Sequence, residues 1–200
     1  MSTQQNYSPK SSTRSNQVVA LEKGRVPPQA VDIEEVVIGA LLIDKAAVND
    51  VIDILDSQCF YKEAHTWIFE AIKDLFGKSE PIDIITVANY LRKNGKMELI
   101  GGEHYLAMLS TKVSSAAHVE YHARIILQKY IQRELIRISS EIISDAFDES
   151  TDVLELLDSA EEKLFQIAEG NIKKNYETSQ NLIVQALKNI EDISKREGMS

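Results

Sequence analysis

The sequence has few of the residues that mark a disulfide-stabilised or membrane-spanning protein. It contains one cysteine in 200 residues, so an intramolecular disulfide framework is excluded. No apolar run approaches the roughly 18 residues of a transmembrane helix, and no secretory segment is recognisable, so we expect a cytoplasmic location. Aromatic residues make up only 6% of the chain. Ala, Leu, Ile, Glu and Lys dominate, and this composition favours helices.

Motifs for nucleotide or metal binding are also absent. Gly77-Lys78-Ser79 resembles the end of a phosphate-binding loop, but the glycine required five positions earlier is Ile72, and the preceding pattern is helical. His118 and His122 have the spacing of paired zinc ligands, but Val119 stands where the protease motif needs a glutamate. No Gly-x-Ser-x-Gly turn or CxxC pair occurs. The sequence predicts no catalytic, cofactor-binding or metal-binding residue.

Three isolated side chains are better explained as structural residues. Cys59 lies among apolar neighbours and is predicted to be an inert core residue rather than a reactive thiol. His65 and His104 have no catalytic partners nearby in the sequence. We expect both histidines to be buried and hydrogen-bonded.

The net charge of −9 is unevenly distributed. Residues 1–26 carry +3, because Lys10, Arg14, Lys23 and Arg25 stand against Glu22, so the other 174 residues carry −12. Such an acidic surface disfavours non-specific nucleic-acid binding, which depends on Lys and Arg displacing counterions. A helical nucleic-acid-binding regulator has only the tail and the Arg124–Arg137 stripe in its favour.

The fold is predicted to be all-α: a compact multi-helix head, a long antiparallel helical hairpin and a separate linker helix. Residues 1–26 are polar and predicted to be a disordered tail. The head spans 27–115, the hairpin 116–170, a loop 171–180 and the linker helix 181–197. Predicted head helices include Thr86 to Lys93 and Glu103 to Ser110.

The hairpin is predicted from two apolar seams in a stretch free of Gly and Pro between Gly102 and Gly170. The chain is predicted to turn at Asp148–Thr151, and Asp152 with Glu155 could form a capping-box variant that starts the second arm. Steps of three and four residues are typical of bundled helices. The first seam is Leu127, Ile131, Leu135, Ile138 and Ile142, and the second is Val153, Leu157, Ala160, Leu164 and Ile167. Apart from Ala160 and Ile167, these residues are predicted to form the subunit interface.

Charge is polarised along the hairpin. Residues 141–169 contain ten acids and only Lys163 as a base. Two explanations of this excess are open. The acids can lie on solvent-exposed helix faces, or they can set the register in which hairpins pack on one another. The linker helix has Ile183, Ala186, Leu187 and Ile190 on one face. That face needs a partner surface, so we expect it to dock, with folding back on the hairpin as the alternative.

A set of motifs over about residues 27–196 resembles the N-terminal domain and linker of the DnaB family of replicative DNA helicases. The clearest departure is His118, where the family usually has Asn. The motifs are Pro28-Gln29 with Glu35-x-x-x-Gly39-Ala40-Leu41-Leu42, Phe60 with His65 and Ile68-Phe69-x-Ala71-Ile72, Pro81-Ile82-Asp83 with Thr86-Val87, Gly101-Gly102 with Tyr105-Leu106-x-x-Leu109, Ser115-Ala116-Ala117 with Tyr121-x-Ala123, Arg133-x-Leu135-Ile136, and Ala160-Glu161-x-x-Leu164-Phe165-x-Ile167-Ala168.

The resemblance implies a collar in which paired hairpins join subunits into dimers and the dimers into a hexameric ring. It also implies a DnaG-type primase and a helicase loader as partners, with Arg133 and Arg137 as candidate primase contacts. An ATP- and Mg²⁺-dependent motor that grips single-stranded DNA and unwinds duplex 5′ to 3′ would follow Ser200. These 200 residues are therefore expected to have no enzymatic activity. A stand-alone scaffold or loader-like protein that binds a helicase is the alternative.

Overall fold

A computed structural model describes residues 25–113 and 118–169, and all regular elements in these two stretches are helical, as predicted. Most of the predicted tail, the loop 171–180 and the linker helix with Ile183, Ala186, Leu187 and Ile190 lie outside the described residues. The helices are α1 (Val31–Ile43), α2 (Lys45–Ile52), a 3-10 turn (Ser57–Cys59), α3 (Glu63–Gly77), α4 (Ile84–Lys93), α5 (Gly102–Thr111), α6 (Val119–Ala146) and α7 (residues 153–169).

Side-chain caps explain where several helices begin. The Asp83 carboxylate accepts a hydrogen bond from the Thr86 amide at 2.8 Å, and the Thr86 hydroxyl accepts one from the Asp83 amide at 3.0 Å. This reciprocal capping box starts α4 at Ile84, two residues before the predicted start. The hydrogen bond from Thr86 also lowers the pKa of Asp83. Asp44 caps α2 by a single bond, accepting from the Ala46 amide at 2.8 Å.

Helix α1 lies at the centre of the head. It packs against α2, α3, α5 and α6, and eight of its thirteen residues are buried. A helix that is surrounded on all sides has little room for side chains at its crossing points. At Gly39 an added Cβ would lie 2.6 Å from Val113 Cγ2 and closer still to the Leu109 carbonyl oxygen. Glycine at this position therefore permits α1 and α5 to cross in contact.

The hydrophobic core of the head does not end at the predicted boundary, residue 115. Val119, Ala123, Ile126 and Leu127 of α6 are buried in the same cluster as the residues of α1 and α3, and Ile131 packs against it. Helix α6 is continuous over 28 residues, so its first turns complete the head and the remainder forms the first hairpin arm. The two predicted domains share this helix.

Helices α6 and α7 form the predicted antiparallel hairpin. The Lys163 ammonium on α7 lies 3.5 Å from the Glu141 carboxylate and 3.8 Å from that of Asp145, both on α6. At the turn, the Asp148 carboxylate accepts from the Ser150 amide and hydroxyl, which lowers the pKa of Asp148. One half of the capping box predicted at Asp152 is present: its carboxylate accepts from the amides of the residues two and three positions later. Among the described residues, the reciprocal bond to the Glu155 carboxylate is not formed. Within the described helices, no stretch is both long and apolar enough to cross a membrane.

Candidate subunit interface on the helical hairpin

The predicted seam of the first arm is divided between the head and the surface. Leu127 is buried in the head core, and Ile131 is half-buried against it. Ile138 is only 3% exposed, Ile142 is half-buried and Leu135 is 41% exposed. Only Leu135 and Ile142 of this seam are therefore placed to meet a partner, because Leu127, Ile131 and Ile138 are already covered within the chain.

The predicted seam of the second arm is mostly exposed. Val153, Leu157 and Leu164 are 75%, 64% and 44% exposed, whereas Ala160 and Ile167 are half-buried. At 100° per residue the three exposed side chains fall within about 40° of one another on the helix, and the other two lie toward α6. We call the exposed set the outer seam. It remains available for a partner, although its role at an interface is a prediction.

The hairpin has further exposed apolar side chains outside the predicted seams, three of them in its distal half. Phe147 at the end of α6 is 83% exposed, and Leu154 and Phe165 on α7 are 71% and 62% exposed. The last two lie about 100° and 120° around α7 from Val153, outside a seam defined by three- and four-residue steps. Counting all apolar residues around the helix, rather than only those at seam spacing, would have detected them. Exposed apolar clusters of this kind are typical of protein interfaces.

A cavity of about 340 Å³ lies where the hairpin meets the head. Its walls come from the Ser57–Cys59 turn, from α6 around Tyr130 and Ile138, and from α7 around Ile167. Charged groups at its rim are already paired, including Glu134 with Arg137 at 2.8 Å. Cys59 on its wall is 1% exposed, as expected for an inert core thiol. The cavity therefore lies between the head and the hairpin, and the charged side chains described at its rim are already bound to one another rather than available to a ligand.

Arg133 holds the base of the hairpin to the head. Its guanidinium donates to the carbonyl oxygens of Pro28 at 2.9 Å and Cys59 at 2.7 Å, through two different nitrogens. It also lies 5.6 Å from the ring centroid of Tyr61 and 5.9 Å from that of Tyr130. The fork of the guanidinium suits this double contact. Arg133 is half-buried rather than exposed, and its contact with primase stays a prediction.

We expect Arg133→Lys to lower the free energy of unfolding by about 1–2 kcal/mol, because a lysine cannot span both carbonyl oxygens and would leave one unpaired. Urea titration followed by circular dichroism measures the change. Lys129→Met on the same helix is the control, since within the described residues the Lys129 ammonium donates one hydrogen bond, to Gln132 at 3.4 Å. Equal stability of Arg133→Lys and the wild type would show that the clamp contributes little.

Arg137, the other candidate contact, is more accessible. Its side chain is 45% exposed and forms salt bridges with Glu134 at 2.8 Å and Glu141 at 2.6 Å. Hydrogen bonding to these carboxylates, to Glu134 first, raises the pKa of Arg137. A partner carboxylate would have to compete with both glutamates, so the role of Arg137 in binding primase also stays a prediction.

A buried polar network joins three head helices. Glu34 of α1 accepts from the Tyr61 amide at 2.7 Å and contacts His65 Nδ1 at 2.7 Å. With the proton on Nδ1, His65 Nε2 accepts from the Tyr105 hydroxyl at 2.7 Å, and that hydroxyl accepts from Lys62 Nζ at 2.7 Å. Burial is the main cause of the raised pKa of Tyr105. The network resembles a catalytic relay, but Glu34 and His65 are at most 1% exposed.

The histidine predictions therefore have opposite outcomes. His65 is fully buried and hydrogen-bonded, as predicted, whereas His104 is exposed on α5, so that prediction was wrong. The buried face of α5 is formed by Leu106 and Leu109, which leaves His104 on the solvent side.

Glu35 lies beside the buried network. Burial would raise the pKa of Glu35, but the hydrogen bond and the charge of Lys112 outweigh burial and lower that pKa.

Gly77-Lys78-Ser79 lies at the carboxyl end of α3. The amides of Lys78, Ser79 and Glu80 donate to carbonyl oxygens of α3, so they close that helix and are not directed at a phosphate. Ser79 has a φ of +57°, which is typical of such a helix end. Among residues 25–113 and 118–169, no group of three or more His, Cys, Asp or Glu side chains is placed to hold a metal ion.

The geometry and the comparisons with known proteins agree. The family model described as the DnaB-like helicase N terminal domain matches residues 26–128. The chain belongs to this family. Curated relatives of the family include the replicative DNA helicases DnaB of Rhodothermus marinus, 39% identical over 88% of this chain, and of Geobacillus stearothermophilus, 35% identical over 87%. The chain spans only 19% and 38% of the length of these two relatives.

Solved structures support the same fold. The N-terminal domain of DnaB helicase from Mycobacterium tuberculosis matches with a TM-score of 0.68 and 35% identity, over 70% of this chain and 99% of that one. A DnaB-like replicative helicase, described with its interactions with primase, matches with a TM-score of 0.58 and 22% identity, over 69% of this chain and 31% of that one. The second match supports the fold alone.

Proposed function

We propose that this chain is the N-terminal collar and linker region of a bacterial, cytoplasmic replicative DNA helicase. In this proposal the hairpins pair to form dimers, and the dimers assemble into a hexameric ring. The single observation that supports pairing is the outer seam: Val153, Leu157 and Leu164 remain exposed on α7 after the hairpin has packed. Membership of the DnaB-like N-terminal domain family supports the wider assignment.

The energetics favour a self-complementary contact. Complete burial of a Val or Leu side chain contributes about 1.5–3 kcal/mol, and a two-fold axis uses each seam twice. Six such side chains across two copies offer enough apolar surface to offset part of the entropy lost on association. The distal first-arm residues Leu135 and Ile142 lie on the same hairpin and would extend the contact.

Partners beyond the ring follow from the family. A DnaG-type primase would dock on the collar, with Arg137 as the more accessible of the two candidate contacts, and a helicase loader would act on the assembled ring. In the full-length helicase, a separate domain would supply the ATP- and Mg²⁺-dependent motor that binds single-stranded DNA. This chain would contribute assembly and coupling, with no catalytic group of its own.

Leu157→Glu is expected to weaken self-association at least about tenfold, because pairing would bury two like charges near the two-fold axis. Leu157 is 64% exposed, so the monomer should fold normally. Sedimentation velocity of the full chain over a concentration series measures the dissociation constant, and circular dichroism checks the fold.

Gln128→Glu on α6 is the matched control for adding one negative charge to an exposed helical position of the hairpin. It should associate like the wild type. A wild-type chain that stays strictly monomeric at high concentration would overturn the pairing, and equal association of Leu157→Glu and Gln128→Glu would place the interface elsewhere.

A further inference from the structure

The negative charge of the chain is concentrated in the distal hairpin. Residues 141–169 have ten acids and one lysine, a charge of −9, whereas residues 27–140 have sixteen acids and twelve bases, a charge of −4. The segment before Pro27 is the most basic part of the chain, at +3. Two oppositely charged segments of one chain attract each other over about 10 Å at 0.1 M salt.

A second exposed face of α7 carries four of these ten acids. It combines Leu154 and Phe165 with four acids and lies between about 80° and 200° around the helix from Val153, so it is distinct from the outer seam. We call it the lateral face. All its members are exposed: Leu154, Glu155, Asp158, Glu161, Glu162 and Phe165.

The lateral face is electrostatically unfavourable when left uncovered. Asp158 stands three residues after Glu155 and four before Glu162, spacings at which like charges repel each other on a helix. The ion pairs described between α6 and α7 join Lys163 to Glu141 and Asp145, and they do not reach the carboxylates of Glu155, Asp158 and Glu162. A basic segment with some apolar side chains would complement this face.

The chain's own N-terminal segment enters the structure beside the hairpin. The Pro28 carbonyl oxygen is held by Arg133 at 2.9 Å, and Val26 is 68% exposed. Eight residues of helix, about 12 Å, separate Arg133 from the level of Glu141, where Lys163 marks the neighbouring turn of α7. An extended chain covers up to about 3.3 Å per residue, so residues 1–24 can reach all of the lateral face.

We propose that residues 1–24 dock on the lateral face of the hairpin of the same chain. Val18, Val19 and Leu21 would cover Leu154 and Phe165. The positive charges of Lys10, Arg14 and Lys23 would meet the carboxylates of Glu155, Asp158 and Glu162. This contact leaves the outer seam free, so it is independent of hairpin pairing and gives the basic segment a role in shielding the acidic arm.

Paramagnetic relaxation enhancement in the full-length chain tests this docking. A nitroxide is attached at Ser15→Cys, and the native Cys59 is 1% exposed, so it should not react. In the ¹⁵N-labelled chain we expect the amides of residues 154–165 to be broadened. At 1 M NaCl, where the screening length is about 3 Å, the broadening should fall at least about fivefold.

Charge-neutral variants identify the surface. Glu155→Gln combined with Asp158→Asn and Glu162→Gln should remove most of the broadening. The matched control, Asp50→Asn with Asp53→Asn and Glu80→Gln, removes three exposed acids of the head and should leave it unchanged. Equal broadening in both variants, or broadening centred on the head, would overturn the proposal.

Mixing nitroxide-labelled ¹⁴N chains with unlabelled ¹⁵N chains separates the possible occupants. With Leu157→Glu in both chains, so that hairpin pairing is weakened, docking within one chain predicts little broadening in the mixture. Full broadening in the mixture would mean that the segment of a second copy covers the face, and no broadening in either sample would leave a separate basic partner as the occupant; both outcomes overturn the proposal. Neither depends on the sedimentation result, so failure of docking and failure of pairing are distinguishable.

Discussion

Replacing Glu34 with alanine is expected to lower the free energy of unfolding by about 3–5 kcal/mol, the largest effect of any exchange considered for the head. The carboxylate is 1% exposed and accepts hydrogen bonds from the Tyr61 amide, the Lys62 amide and His65. Its removal leaves these donors buried without an acceptor. Because single domains are stable by only about 5–15 kcal/mol, the variant should be close to unfolding in urea titration at 25 °C.

A double-mutant cycle measures the interaction between Glu34 and His65 separately from the cost of replacing either residue alone. Glu34→Leu and His65→Leu should each be strongly destabilising alone, whereas the double variant should cost clearly less than their sum, because neither polar group is then left unpaired. Glu70→Ala on the exposed side of α3 is the control and should change stability by no more than about 0.5 kcal/mol. Additive effects in the cycle would show that Glu34 and His65 act separately.

The second large effect is expected at Gly39, in the middle of α1. Gly39→Ala should destabilise the chain by about 2–3 kcal/mol, although alanine alone would favour the helix by about 1 kcal/mol. The added Cβ would meet the Leu109 carbonyl and lie 2.6 Å from Val113 Cγ2, so α5 must move away from α1. Urea titration monitored by circular dichroism measures the loss.

Gly77→Ala provides the matched control at the end of α3. An added Cβ has no atom within 4 Å there, and Gly77 is a helical residue. This exchange should be neutral or stabilising by up to about 1 kcal/mol. A stabilising effect of Gly39→Ala would mean that α1 and α5 separate without cost, contrary to the contact at their crossing.

Much of the helical pattern follows from local signals. The cap at Asp152, the turn beginning at Asp148 and the first arm of about 30 residues are predicted from spacing and turn chemistry, and the observed α6 has 28 residues. Local signals are less informative about which side of a helix is covered. His104 is predicted to be buried but is exposed, because the neighbours of a residue in the sequence do not reveal which face of its helix is buried.

The seam of the first arm illustrates the same limit of periodicity. A repeat of apolar residues predicts that one face will be covered, but a helix cannot specify by its own pattern what covers it. Leu127 is covered by the head, Ile138 lies where the arms meet, and Leu135 remains 41% exposed. One continuous seam is therefore divided among the head core, the contact between the arms, and the surface. The apolar surface available for hairpin pairing is consequently that of the outer seam and its exposed neighbours.

The sequence by itself determined the all-helical class, the side-chain cap at Asp152 that starts α7, and the absence of a phosphate loop at Gly77-Lys78-Ser79, because these depend on residues within about one helical turn. Only the tertiary structure decided that Glu34 would meet His65, 31 positions away, and that His65 would meet Tyr105, 40 positions away. It also decided that Arg133 would clamp the hairpin to the head. Such contacts depend on how helices cross, which the packing of the whole core determines.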